Sequence, residues 1–179
     1  MVALETPKAQ TGWQAPAFSL PGVDGKTYTL NDVKGENGTV VMYICNHCPF
    51  VKAIKQKLIR DANALMELGV GIVAINANDA DNYPDDSFEK MKLENYPFPY
   101  LFDETQEVAK TYDAVCTPDF FGFDSDLKLA YRGRLDDSGM QEKPDGEREL
   151  FNAMKSVAEH GIAPAAQNPS IGCNIKWRE

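Results

Sequence analysis

Residues 40–58 read VVMYICNHCPFVKAIKQKL and pass from an apolar run, through two cysteines, into a helical pattern. The apolar run is rich in valine, which is typical of a central strand that is covered on both faces. From Val51 the apolar residues recur at steps of three and four, with lysines between them. This spacing predicts an amphipathic helix that ends at Gly69. Cys45 and Cys48 therefore lie at the junction between a strand and a helix.

A second apolar run, VGIVAINAN at residues 70–78, follows the predicted helix. Strand, helix and strand within about forty residues is the signature of a right-handed βαβ unit, which predicts a parallel pair. The segments DFFGFD and LKLAYRGRL, joined by a tight turn at residues 124–126, predict an antiparallel pair. Alternating runs on either side of Asp24 and Gly25 predict an N-terminal hairpin. We therefore expect a mixed sheet flanked by helices.

The composition limits the classes of protein and partner. The chain has 179 residues, 43% of them hydrophobic, so we expect residues 1–179 to form a single domain of ordinary size, with 161–179 as an irregular C-terminal tail. A net charge of −9 without a basic cluster argues against nucleic-acid or anionic-membrane partners. No apolar run approaches the roughly 20 residues that span a bilayer. Four cysteines are too few for a disulfide-stapled secreted scaffold. These observations predict a cytoplasmic protein.

The spacing of Cys45 and Cys48 predicts reactive thiols. In the first turn of a helix, two cysteines at this spacing could form a disulfide without a change in the backbone. A bridge across so short a loop stabilises a fold only slightly, which favours a redox role over a structural one. The positive end of the helix favours a thiolate at Cys45, and a protonated His47 would add to this effect. We expect Cys45 to be the exposed, more acidic, attacking thiol, Cys48 the resolving thiol, and His47 a residue that tunes the pair.

These features, together with the dipeptide Thr117-Pro118 ahead of the antiparallel pair, resemble the thioredoxin fold. The chain as a whole resembles the thioredoxin-like branch of the AhpC/TSA (peroxiredoxin-like) redoxins, over roughly residues 12–160. The resemblance implies an α/β thioredoxin fold with a central mixed sheet flanked by helices and an N-terminal β-hairpin extension. It also implies that Pro118 is cis and lies beside the cysteine pair, and that the backbone of Thr117 pairs with a bound substrate strand.

The sequence departs from the patterns of related redoxins in three places. Tyr43 and Ile44 replace the lead-in to the first cysteine that thioredoxins carry. The strand TVVMYI has no acidic residue of the kind that thioredoxins hold beneath the cysteine pair. Peroxiredoxins place a proline seven residues, and a threonine or serine three residues, before the peroxidatic cysteine, and this chain has Gly38 and Met42 there. Peroxidase chemistry is therefore ranked second.

The sequence is best interpreted as a thiol-disulfide oxidoreductase that uses Cys45 and Cys48 and needs no cofactor or metal. Two alternatives remain open: a peroxidase that reduces hydroperoxides through Cys45, and a non-catalytic redox-sensing module. The expected partners are disulfide-containing proteins or small-molecule thiols, together with an unidentified electron donor. A zinc site would need a second closely spaced Cys/His pair, which the sequence lacks. Cys116 is either a packed thiol or a residue of the site, and docking of the tail would let Cys173 form an oxidation-dependent bridge with it.

Overall fold

The computed structural model describes residues 2–141 and 143–179. The strands within these ranges are β1 (Ala3–Glu5), β2 (Ser19–Pro21), β3 (Thr27–Thr29), β4 (Thr39–Tyr43), β5 (Gly71–Asn76), β6 (Tyr100–Phe102), β7 (Cys116–Thr117), β8 (Asp119–Phe123), β9 (Leu129–Gly133) and β10 (Ile171–Asn174). The α-helices are α1 (Leu30–Val33), α2 (Pro49–Glu67), α3 (Phe88–Met91), α4 (Glu107–Thr111) and α5 (Glu149–His160).

The central sheet has five strands in the order β6-β5-β4-β8-β9. Strands β4, β5 and β6 are parallel, whereas β8 is antiparallel to both β4 and β9. Every residue of β4 is buried, because strands lie on both sides of it and hydrophobic clusters cover both faces of the sheet. The predicted central mixed sheet and the predicted parallel and antiparallel pairs are confirmed.

Helix α2 confirms the predicted amphipathic pattern but begins slightly earlier than Val51. Its buried positions include Val51, Ile54 and Leu58, spaced three and four residues apart. Pro49 occupies the first turn, where a missing N–H breaks no helical hydrogen bond. The prediction that both cysteines lie within this turn is wrong. Cys48 is the N-cap, with an extended backbone at φ −66° and ψ 123°, and Cys45 belongs to the segment between β4 and α2.

The N-terminal hairpin is confirmed, since β2 pairs antiparallel with β3. The expectation that residues 161–179 are irregular is wrong for part of the tail. Strand β10 pairs antiparallel with β1 on one side and with β7 on the other. Its sequence, Ile-Gly-Cys-Asn, shows no alternation of apolar and polar residues, so a periodicity argument does not detect this strand. Pairing on both sides satisfies its backbone groups. The described ranges contain no helix long and apolar enough to cross a membrane.

Candidate redox site

Cys45 and Cys48 lie between the carboxyl end of β4 and the start of α2. Their thiols hydrogen-bond to each other. The sulfur of Cys45 is 3.4 Å from the hydroxyl oxygen of Thr117, and the thiol of Cys48 donates to the carbonyl oxygen of Thr117 at 3.2 Å. Cys45 is 1% exposed and Cys48 is 0% exposed. The expectation that Cys45 has an open face is therefore wrong, because Thr117 and the segment around it lie against both sulfurs.

The Thr117-Pro118 peptide bond is cis, as predicted. Thr117 belongs to β7, and Cys173 of β10 lies opposite it in the antiparallel pair. The neighbour of Cys173, Gly172, leaves no room for a side chain, since an added Cβ would lie 2.0 Å from the Thr117 carbonyl oxygen. The C-terminal strand of this chain therefore occupies the backbone edge that the resemblance assigned to a bound substrate strand.

His47 is held by a buried carboxylate that comes from a distant part of the chain. Its ring Nδ1 forms a very short hydrogen bond with Asp86 Oδ2, and its ring stacks on Tyr83 at 5.9 Å between centroids. The other oxygen of Asp86 accepts the backbone N–H groups of Asn46 and His47 at 2.7 and 3.2 Å. Asn78 donates its side-chain amide to the same carboxylate at 2.8 Å. Asp86 thus fixes the turn that carries both cysteines.

Sequence reasoning missed Asp86 because it lies about forty residues from the cysteines it serves. A usable signal was present in the segment NDADNYPDD, which follows β5. Strands β4 and β5 are parallel neighbours, so the segments that follow them leave the sheet at the same edge. An acid beyond the end of β5 is therefore placed to reach the turn beyond β4. It supplies the buried carboxylate that β4 lacks.

The acidity of the cysteine pair is the reverse of the predicted one. The hydrogen bond from Cys45 lowers the pKa of the Cys48 thiol to about 4, with further donation from Cys173 and the Val51 N–H. The pKa of the Cys45 thiol is raised well above its usual value by its hydrogen bond with Cys48, by burial and by the charge of Asp86. The hydrogen bond between the two thiols is the largest cause, and an N–H group at the start of α2 adds a smaller stabilisation of the Cys48 thiolate.

The two remaining cysteines are also buried, but they have different surroundings. The sulfur of Cys173 lies 2.8 Å from that of Cys48. The thiol of Cys116 donates to the carbonyl oxygen of Pro118 at 3.6 Å, and burial strongly raises its pKa. The tail therefore docks beside the site, as the sequence suggested, and it brings the thiol of Cys173 into contact with Cys48.

Cys45, His47 and Asp86 each offer a potential ligand atom for a metal, and these atoms lie within 4.8 Å of one another. Both carboxylate oxygens of Asp86 already accept two hydrogen bonds each, from donors on Asn46, His47 and Asn78. A metal ion would have to displace the His47 ring from one of them. The hydrogen-bond network gives each of these groups a role without an ion.

Comparison with known proteins places this architecture in a family. Residues 11–132 match the AhpC/TSA family. The chain belongs to the AhpC/TSA family. A crystal structure of a conserved protein from Geobacillus kaustophilus is 52% identical to this AhpC/TSA protein, covers 99% of this chain and 97% of its own, and has a TM-score of 0.94. A hypothetical protein from Sinorhizobium meliloti 1021 is 38% identical, with 97% and 98% covered and a TM-score of 0.90.

Two more distant relatives of the AhpC/TSA protein are named for disulfide chemistry. The thiol-disulfide oxidoreductase ResA of Bacillus thuringiensis subsp. konkukian is 27% identical over 128 residues, 68% of each chain. A thiol:disulfide interchange protein DsbE from Chlorobium tepidum is 21% identical, has a TM-score of 0.58, and is similar over 83% of this chain and 97% of its own. The second likeness confirms the predicted thioredoxin fold. The family and the ResA likeness support a thioredoxin-like redox function in general.

Proposed function

We propose that this AhpC/TSA protein is a thiol-disulfide oxidoreductase whose redox pair is Cys45 and Cys48. The observation that carries the proposal is the mutual hydrogen bond of the two thiols at the start of α2, with Thr117 contacting both sulfurs. Two thiols that share one proton can become a disulfide with little movement, and the thiolate needed for exchange is already stabilised. The chemistry needs no cofactor.

The proposed reaction reduces a substrate disulfide at the expense of the pair. A thiolate of the pair attacks one substrate sulfur and forms a mixed disulfide, and the other substrate sulfur leaves as a thiolate. The second cysteine then attacks its partner, which forms the Cys45–Cys48 disulfide and releases the first substrate sulfur. Two electrons pass from the pair to the substrate. The one proton that the reduced pair holds passes to one substrate sulfur, and the other substrate sulfur leaves as a thiolate that takes its proton from solvent. An electron donor must then return the pair to dithiol.

Cys45 is the proposed attacking sulfur. The charge of the reduced pair rests mainly on Cys48, but Cys48 is enclosed by Thr117 and Cys173. Transfer of the shared proton from Cys45 to Cys48 places the thiolate on Cys45, next to the hydroxyl of Thr117. His47 is the partly exposed residue of this turn, at 17% side-chain exposure, so a substrate would approach over His47. Because Cys45 is itself buried, attack requires a local opening of the site.

The substrates are proposed to be disulfides of proteins or of small thiol compounds, the class that the name of ResA indicates for that relative. The edge of Thr117 is already occupied by β10. A groove beside Pro118 is lined by apolar side chains that include Phe50, Ile54 and Leu135, and Ile171 of β10 forms part of its wall. A substrate would contact this groove without displacing β10. The cytoplasmic location expected from the sequence stays a prediction.

The test compares disulfide and peroxide substrates on the same protein. Reduced wild type should reduce insulin or oxidised glutathione in stoichiometric single-turnover assays. Cys45→Ser lacks the proposed attacking sulfur and should react far more slowly than wild type, and Cys48→Ser should not complete the reaction. Cys116→Ser is the matched control, because it replaces another buried thiol of the same chain and should retain activity. Cys48→Ser should accumulate a mixed disulfide at Cys45. Consumption of hydrogen peroxide without disulfide exchange would instead assign the chain to the peroxidase alternative.

A further inference from the structure

The site contains a third sulfur, which the C-terminal strand brings to the redox pair. Cys173 lies 125 residues from Cys48 in the sequence, and their sulfurs are 2.8 Å apart. The contact is built into the fold, because β10 is paired on both edges, with β1 and with β7. Cys48 therefore contacts two thiols, those of Cys45 and Cys173.

The start of α2 serves Cys173 as well as Cys48. The backbone N–H of Phe50 donates to the sulfur of Cys173, and the positive charge of Lys176 also lowers the pKa of this thiol. Burial and the neighbouring Cys48 act in the opposite direction and raise the pKa to about 12 in the reduced site. Once Cys48 is in a disulfide it carries no charge, so its opposition to a Cys173 thiolate disappears. Burial still disfavours this thiolate, and Phe50 and Lys176 still favour it. Oxidation of the pair thus removes one of the two causes that raise the pKa of the third thiol.

We propose that Cys173 is a third redox-active cysteine, which takes the disulfide from the pair by attacking Cys48. This inference rests on the proposed function, since the Cys45–Cys48 disulfide is its starting point. In addition to pairing in the sheet, the C-terminal strand would then supply a reacting thiol to the oxidised protein.

The step is an internal disulfide exchange. The thiolate of Cys173 attacks the sulfur of Cys48, the Cys48–Cys173 bond forms, and the Cys45–Cys48 bond breaks. Cys45 leaves as a thiolate and takes the proton that Cys173 has lost. One disulfide and one thiol are present before and after the step, so no oxidant or reductant is consumed.

The exchange changes what the disulfide ties together. The Cys45–Cys48 bridge closes a very short loop, whereas the Cys48–Cys173 bridge joins the start of α2 to a strand near the end of the chain. A bridge across a long loop stabilises a fold far more than one across a short loop. The oxidised protein would therefore hold its C-terminal strand covalently in place, and Cys45 would return to the thiol form.

The test maps the disulfide of oxidised protein directly. Wild type, Cys45→Ser, Cys173→Ser and Cys116→Ser are treated with oxidised glutathione, quenched with acid, alkylated with N-ethylmaleimide and digested without reduction for mass spectrometry. In Cys45→Ser we expect most chains to contain a disulfide between Cys48 and Cys173. These chains should unfold at a higher temperature than the same variant after reduction. Wild type and Cys116→Ser should each be a mixture, in which some chains contain the Cys45–Cys48 bridge and others the Cys48–Cys173 bridge. Cys173→Ser should contain the first bridge alone.

The outcomes separate this inference from the proposed function. If wild type forms Cys45–Cys48 and reduces insulin, but Cys173 stays fully alkylated in wild type and in Cys45→Ser, the third cysteine is only a packing residue and the inference is overturned. If wild type forms no Cys45–Cys48 bridge and exchanges no disulfides, the proposed function fails. Should Cys45→Ser not fold, the bridge content of wild type and Cys116→Ser decides the question in the same way.

Discussion

Gly172 lies against Thr117 so closely that an added Cβ would meet the Thr117 carbonyl oxygen at 2.0 Å and its carbonyl carbon at 2.5 Å. Both atoms belong to the backbone, so neither can rotate away. The close approach lets β10 pair with β7 and bring Cys173 to the redox pair. The absence of one methyl group therefore decides how the C-terminal strand covers the site.

Replacing Gly172 with alanine should push β10 away from β7. We expect Gly172→Ala to lower the free energy of unfolding by about 1–3 kcal/mol, the usual cost of overpacking, and to speed alkylation of Cys45 and Cys48. Ile171→Ala, in the same strand but at a side chain that is exposed, is the control and should change neither quantity appreciably. Urea unfolding and the rate of reaction with Ellman's reagent measure both effects. Equal rates for the two variants would show that β10 does not limit access to the thiols.

The low pKa of Cys48 predicts a thiolate at neutral pH. Absorbance at 240 nm should report one thiolate in the reduced protein, lost on acidification with a midpoint near the pKa of about 4. Cys48→Ser should abolish this step. Cys45→Ala removes the largest cause of the shift, the hydrogen bond from Cys45, and should move the midpoint of Cys48 upward. A wild-type titration with its midpoint near the ordinary thiol value would refute the assignment.

The same shift fixes the sign of a pH effect on stability. The pKa of Cys48 falls from an ordinary value of 9.0 to about 4 on folding, so between these values the unfolded chain binds the proton and the folded chain does not. Stability therefore rises with pH across this interval, is fully present above the ordinary value, and is lost as pH falls through the folded value. Cys48→Ser should flatten this component of the pH profile. An unchanged slope for the reduced variant would contradict it.

Asp86 should act on both the turn and the acidity of Cys45. The charge of Asp86 raises the pKa of Cys45, so Asp86→Asn should lower that pKa and shift the pH profile of Cys45 alkylation downward. The variant also weakens buried hydrogen bonds, which should cost about 1–3 kcal/mol of stability. Asp85→Asn is the matched control, because the Asp85 side chain is 73% exposed and pairs only weakly, with Lys90 at 3.4 Å. Identical alkylation profiles for the two variants would show that Asp86 does not affect the acidity of Cys45.

His47 should influence the redox potential through Asp86. His47 Nδ1 hydrogen-bonds to the buried carboxylate, so His47→Gln leaves its charge less compensated beside Cys45. A less compensated negative charge disfavours the thiolate, and hence the reduced pair, so the pair should become more reducing. A glutathione redox titration measures the change, with His160→Gln as a control at an exposed histidine. A shift toward a more oxidising potential in His47→Gln would contradict the role assigned to this residue.

Arg132 and Asp119 form a buried ion pair beside the site, and we expect this pair to stabilise the fold. Asp119 follows Pro118 directly and is 0% exposed, and the Arg132 guanidinium donates to both of its carboxylate oxygens at 2.8 and 3.2 Å. Arg132→Leu leaves the carboxylate buried without this partner, which should cost about 3–5 kcal/mol. Arg134→Leu breaks the more exposed pair with Glu149 and should cost about 0–1 kcal/mol. Thermal unfolding of both variants compares them, and equal losses would refute the distinction.

Local sequence patterns are enough to predict the secondary structure around the redox site. Apolar runs define β4 and β5, the three-and-four spacing after Pro49 defines α2, and these local patterns place Cys45 and Cys48 where a strand meets a helix. Such features depend on the backbone and on residues close together in the chain, so periodicity and turn chemistry reveal them. The cis proline was available as an implication of the family resemblance, and the structure confirms it.

The groups that surround the two sulfurs come from distant parts of the chain, and they could be identified only from the tertiary structure. Asp86 reaches the site because β4 and β5 are parallel neighbours, and Cys173 reaches it because β10 pairs with β7. Both residues are far from the cysteines in the sequence, and no local pattern encodes either strand register. The acidity of the pair was mispredicted because it depends on which thiol donates to the other, and on a distant thiol, Cys173, that also donates to Cys48. Contacts of this kind form only when the sheet assembles.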